Sequence, residues 1–335
     1  MNSKGRWAIG LVSVLSLVVL TCVFSTSKKE NSKEVQEKNA VFSITIPTKL
    51  DFAGEKVPLE FFDVREALDK ELQINAYWQS QTILLIKRAN RFFLEIDPIL
   101  KEEGLPSDFK YLALAESGLT NVVSPANAVG FWQFLKNTGK EYNLQIDNEV
   151  DERYNLEKST RAACKFLKES YKLYQSWTLA AASYNMGRIG VSKQLDSQKE
   201  KNYYDLGLND ETARYLYRIL ALKLIIETPE LYGFHIQKSD LYPPLRYIKV
   251  EVNGSITDLA DFAQKNNTNY KMLKLFNPWL REKSLVNKAK INYTIKIPMK
   301  GYRESVYLEL LAKTDSVLVH KEIIENKNIG TNTKQ

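Results

Sequence analysis

Cysteine and histidine are almost missing from this chain of 335 residues, which has two of each. Cys22 lies inside an apolar stretch, so Cys164 has no partner in the body of the chain and a disulfide framework is excluded. His235 and His320 stand far apart. A zinc amidase or peptidase needs His clustered with Asp, Glu or Cys, so metal-dependent chemistry is not expected and no cofactor is implied. Apolar–polar alternation is missing from 64 to 230, so no strand is expected there. Residues 117–140 contain neither Asp nor Glu.

What is present is a hydrophobic fraction of 44% beside 26% charged residues, enough for a packed core. The net charge of +7 fits nucleic acid, an anionic membrane or an anionic wall polymer as partner. The beginning of the chain decides among them. Lys4 and Arg6 precede the uncharged stretch 7–26, the pattern of an export signal. Its length also matches a minimal membrane span of about 17–20 residues, so it can serve as an anchor. Lipidation at Cys22 is a third reading, although Thr21 stands where a lipobox carries Gly, Ala or Ser. All three place the body of the protein outside the cytoplasm, on the periplasmic side of a cell envelope, and remove nucleic acid as a partner.

Composition and periodicity divide the chain into five parts. Residues 1–26 form the signal or anchor, and 27–63 a polar linker with an irregular extension. Residues 64–235 form a helical domain. Helical spacing runs over 64–102, interrupted at Pro98, and further helices are expected at 107–117, 157–174, 177–186 and 211–227. Residues 245–299 read as strand (247–252), two short helices and a closing strand (293–297), and 300–335 as a partly helical tail that frays. The fold class is therefore mainly α, with a small β-α-α-β module behind the helical domain.

The helix 107–117 is apolar nearly all round, as a buried helix is. Glu116 falls seven residues after Phe109 and four after Leu112, on their face, and Gly118 is placed to stop the helix. A carboxyl on such a face is costly unless paired or protonated. Burial raises its pKa, which suits a general acid working near neutral pH, whereas a structural glutamate paired with an arginine is the plainer alternative.

Four motifs then follow in order: Glu116-Ser117-Gly118-Leu119, Gly130-Phe131-Trp132-Gln133-Phe134, Ala181-Ala182-Ser183-Tyr184-Asn185-Met186-Gly187 and Glu211-Thr212-Ala213-Arg214-Tyr215. With them, residues 70–232 resemble the goose-lysozyme-like (SLT) domain of family 1 lytic transglycosylases, nearest the membrane-bound lytic murein transglycosylase D group. The resemblance implies a lysozyme-like α-helical catalytic domain that cuts the β-1,4 bond between N-acetylmuramic acid and N-acetylglucosamine in peptidoglycan. It makes Glu116 the acid and then the base, with no metal. Ser117 and Ser124 would line the groove, and Gly130 would let backbone approach the sugar. Gln133 would hydrogen-bond the sugar, Tyr184 and Asn185 would border the cleavage point, and Tyr215 and Glu211 would contact the muramyl unit. The arginine position departs from the usual order, leaving Arg214 without an assigned role.

Residues 245–299 resemble a divergent LysM domain, which implies a binder of N-acetylglucosamine-containing glycan. Partners are thus peptidoglycan strands and a membrane through the N-terminal segment, while protein partners are not specified. A goose-type lysozyme using Asp151, Glu152 or Glu211 as second carboxylate, and a non-catalytic wall-binding protein, are the alternatives.

Overall fold

The computed structural model describes residues 43–303 and 306. The export, anchor and lipidation readings of the N-terminal stretch and most of the tail fall outside the described residues. Among the described residues no helix is long and apolar enough to cross a membrane.

Among the described residues, fourteen strands and α-helices follow one another, with short 3-10 turns between some of them. A hairpin, β1 (Asp51–Phe52) and β2 (Glu55–Lys56), leads into eight helices: α1 (Phe62–Tyr77), α2 (Gln79–Glu102), α3 (Phe109–Ser117), α4 (Lys136–Glu141), α5 (Leu156–Tyr174), α6 (Trp177–Met186), α7 (Arg188–Gln198) and α8 (Asp210–Glu227). The module behind them is β3 (Tyr247–Val252), α9 (Leu259–Lys265), α10 (Tyr270–Phe276) and β4 (Tyr293–Pro298), with β3 and β4 antiparallel.

The segment expected to be an irregular extension belongs to the core instead. Phe52, Val57 and Leu59 are buried, and the Phe52 ring stands edge-on to Phe109 with centroids 5.4 Å apart. Ala53 and Gly54 both have positive φ, the turn that matches strand twist in a two-residue hairpin. Glu55 accepts hydrogen bonds from the Trp177 and Thr178 N–H groups and from Ser176 Oγ, so the hairpin caps the N-terminus of α6. Asp108 Oδ2 accepts from Ala53 N–H at 2.7 Å and pairs with Lys223 Nζ at 2.8 Å, fastening the hairpin to α3 and α8.

Pro98 does not end its helix. It sits on the exposed face of α2, where the missing N–H leaves the Leu94 carbonyl to solvent, and the helix continues to Glu102. The break comes at Trp78 (φ −83°, ψ 56°), where Thr82 Oγ1 donates to the Asn75 carbonyl. The helix α7 was not expected from the sequence, since only Val191 in it is buried and it shows no apolar stripe.

The centre of the body is α8, buried along most of its length and packed by α1, α3 and α6. The module is joined to this body by more than its linker. Val150 lies in the module's own apolar core, Asp151 N–H donates to the Trp279 carbonyl, and Arg281 N–H donates to the Glu149 carbonyl. Tyr293 Oη reaches Gln145 at 2.9 Å, and Lys296 pairs with Glu95 at 2.7 Å.

Candidate active site

Glu116 is the penultimate residue of α3, two before Gly118, whose left-handed φ of 58° ends the helix. The core face of α3 brings its carboxyl to the floor of a cleft of about 610 Å³. The opposite wall is α8, whose Glu211, Tyr215 and Arg218 share one face at intervals of four and three and all border the cleft. Tyr215 Oη donates to Glu116 Oε1. Burial pushes the Glu116 pKa up to about 7, against the opposing pull of the Tyr215 hydrogen bond and the Arg218 charge, with the nearby Glu211 charge adding to the rise. Burial and the Glu116 charge hold both Tyr215 and Tyr184 well above the usual phenol range, so both phenols keep their protons.

Residues 118–135, most of the acid-free window, fold into a compact loop forming another wall, and α4 follows. Short antiparallel bridges join Val123 to Val129 and Val129 to Phe134. Arg153 props the loop, with Nη1 donating to the Asn127 and Phe134 carbonyls. Its guanidinium is itself held by Asp151, at 2.9 and 2.7 Å. Glu152 is tied to Lys158 and to Gln145 N–H. Neither acid borders the cleft; Glu211 is the only carboxyl besides Glu116 that does, among the described residues.

The structure distributes the sequence candidates unevenly. Ser124, Gln133, Tyr184, Asn185, Glu211 and Tyr215 all border the cleft with Glu116. Ser117 does not, because its hydroxyl bonds the Phe131 and Ala113 carbonyls and accepts from Leu119 N–H. Gly130 does not face sugar space either. A Cβ there would lie 2.2 Å from the Arg153 carbonyl oxygen, so the close approach it permits is between two stretches of this chain. Gln133 Nε2 spends both its donors on the Val122 and Gly130 carbonyls, which leaves its oxygen as the group able to meet a ligand. Tyr184 Oη donates to the Trp132 carbonyl at 2.7 Å, and Asn185 Oδ1 accepts from Thr212 Oγ1 at 2.8 Å, so α6 is locked to both its neighbours.

Arg214 points away from the cleft to the buried Glu71 at 2.5 Å. Arg218, 3.9 Å from the other Glu71 oxygen, is the arginine that reaches Glu116 electrostatically. Its place seven residues after Glu211 and three after Tyr215 is the signal that would have found it.

Comparison with known families matches residues 94–206 to the transglycosylase SLT domain and residues 248–301 to the soluble lytic transglycosylase C-terminal LysM-like domain. Two curated relatives, the membrane-bound lytic murein transglycosylase D of Escherichia coli strain K12 and of Escherichia coli O6:H1 strain CFT073, are each 27% identical over 277 residues. The match takes in 80% of this chain and 59% of those proteins, so the chain spans a little over half their length. A protein of Alteromonas sp. strain M-1, named for tributyltin chloride resistance, is 28% identical over 116 residues, 34% of this chain and 56% of that protein. The Glu116 side of the cleft falls within the SLT match and the β-α-α-β module within the LysM match, while the α8 wall lies beyond the first; residues 94–206 are thus similar to a transglycosylase SLT domain and residues 248–301 to a C-terminal LysM-like domain.

Proposed function

We propose that the protein is a lytic transglycosylase of peptidoglycan in which Glu116 is the single acid/base. The observation that carries this reading is a carboxyl with a pKa of about 7 at the floor of a cleft whose only other acid, among the described residues, is the exposed Glu211. Near neutral pH a sizeable fraction of Glu116 is protonated and can donate to the glycosidic oxygen as oxocarbenium character develops at C1 of the muramyl ring. Tyr215 and Arg218 then stabilise the carboxylate left behind. That carboxylate takes the proton of the C6 hydroxyl of N-acetylmuramic acid, and the C6 oxygen bonds to C1 and closes a 1,6-anhydro ring. An internal nucleophile held near C1 has a high effective molarity, so water is outcompeted. The substrate's own N-acetyl group can support the intermediate, as in substrate-assisted glycosidases.

A lysozyme adding water is the second reading, and among the described residues Glu211 is the carboxylate in the cleft that could serve it. The envelope placement follows the substrate and the basic, apolar start of the chain.

Digestion of purified peptidoglycan, with products resolved by mass, separates the two. Anhydro ends, lighter by about 18 Da than hydrolysis products because no water is added, are expected from the intact protein, with a loss of at least about 100-fold in Glu116→Gln. Reducing ends from the folded protein would instead make it a lysozyme.

A further inference from the structure

A second cavity, of about 560 Å³, opens between the helical body and the LysM-like module, away from Glu116. Its size is within the range of about 300–1,000 Å³ usual for small-ligand sites. Six cations and three carboxylates border it. Four of the cations are matched by acids. Lys249 pairs with Glu157 and Lys296 with Glu95. Lys158 pairs with Glu152, and Arg161 with Glu102 and Glu103.

The remaining two, Arg88 and Arg91, have no carboxylate at ion-pair distance among the described residues. They stand three apart on α2, so both stems leave the same helix face. Arg88 Nη1 donates to the Gly118 carbonyl and Arg91 Nε to the Pro243 carbonyl, contacts with neutral oxygens that leave other N–H groups of each fork uncommitted. Burial holds the Arg88 pKa below the usual guanidinium range, so its charge is imperfectly compensated where it sits. Phe92, Tyr154 and Tyr242 supply apolar wall beside the two arginines. Unmatched guanidinium forks in a partly apolar pocket are a receptor for carboxylates.

We infer that this cavity is a second ligand site, where Arg88 and Arg91 receive the carboxylates of a peptidoglycan peptide stem. The identity of the ligand rests on the peptidoglycan reading above; the anionic chemistry of the site does not. Occupancy would bear on the carbonyl of Gly118, the residue that ends the helix carrying Glu116.

The test is calorimetric titration of the intact chain with a sugar-free stem tetrapeptide, L-Ala–D-Glu–diaminopimelate–D-Ala, and with its carboxyl-amidated form. The acidic peptide is expected to bind, with about tenfold or greater weakening for the amidated form and for Arg91→Gln, the size of a charge-assisted hydrogen bond. Arg88→Gln/Arg91→Gln is expected to weaken it further. Arg91→Lys, which keeps the charge and loses the fork, is expected to fall between. A folded wild-type chain that ignores the acidic peptide, binds the amidated one equally, or binds undiminished after Arg91→Gln overturns the inference. Anhydro-end formation is measured separately on glycan strands stripped of peptide, so failure of this site and failure of the transglycosylase reading give different results.

Discussion

A carboxyl whose pKa has risen to about 7 ties activity and stability to the same proton. In the proposed mechanism the first step needs Glu116 protonated, so kcat/KM is expected to fall as pH rises through about 7. Tyr215→Phe removes the hydrogen bond that favours the carboxylate, so the falling limb should move to higher pH while kcat drops; a pH–rate profile of the variant checks this. Linkage has a definite sign here. The folded pKa lies above the unfolded value, so the folded state binds more protons in the interval between them, and stability is lost as pH rises through the folded pKa. Glu116→Gln should therefore be more stable than the parent at pH 8, by on the order of 2 kcal/mol after allowing for remaining solvent contact, and the gain should vanish near pH 4. Urea unfolding at the two pH values decides it. The position of Glu116 on a helix face was legible in the sequence, because helical spacing alone puts it with Phe109 and Leu112. The commitment of Ser117 and of the Gln133 amide nitrogen to loop carbonyls was not, because it depends on where distant backbone passes.

Among the elements, the hairpin β1–β2 is short in sequence yet holds a helix that shapes the cleft. Glu55 satisfies two N–H groups at the start of α6, where the helix dipole favours a negative charge. Glu55→Ala is expected to cost about 1–2 kcal/mol in urea unfolding. Since α6 carries Tyr184 and Asn185, activity should fall in parallel. The loop of residues 118–135 depends on Gly130 more sharply, because positive φ and the Arg153 carbonyl both exclude a side chain. Gly130→Ala should lose about 2–4 kcal/mol and displace the loop, read as a lower Tm and a raised KM. Helices rich in apolar residues were visible in the sequence within a residue or two, as α6, expected and found at Trp177–Met186. The exposed α7 and the passage of α2 through Pro98 were hidden: the first buries almost nothing, and the second depends on which face the proline occupies.

Among the described residues the body and the module meet through a seam of backbone hydrogen bonds and through Val150, exposed by only 1%, and Tyr154, which pack with the module's apolar core. Calorimetry is expected to show one unfolding transition for body and module together. Val150→Asp, which buries a charge in the module's core, should split or broaden that transition. Two separate transitions in the parent protein would show the seam to be weak. The sequence by itself determined the helical class, the β-α-α-β order of the module, and Glu116 with six other residues that border the cleft, because these follow from periodicity and from motifs local to one element. The tertiary structure decided that the segment before α1 belongs to the core, that Arg218 rather than Arg214 faces Glu116, and that a cationic cavity lies between the modules. Each of those is a meeting of residues far apart in the chain, set by the packing of whole elements that no local pattern encodes.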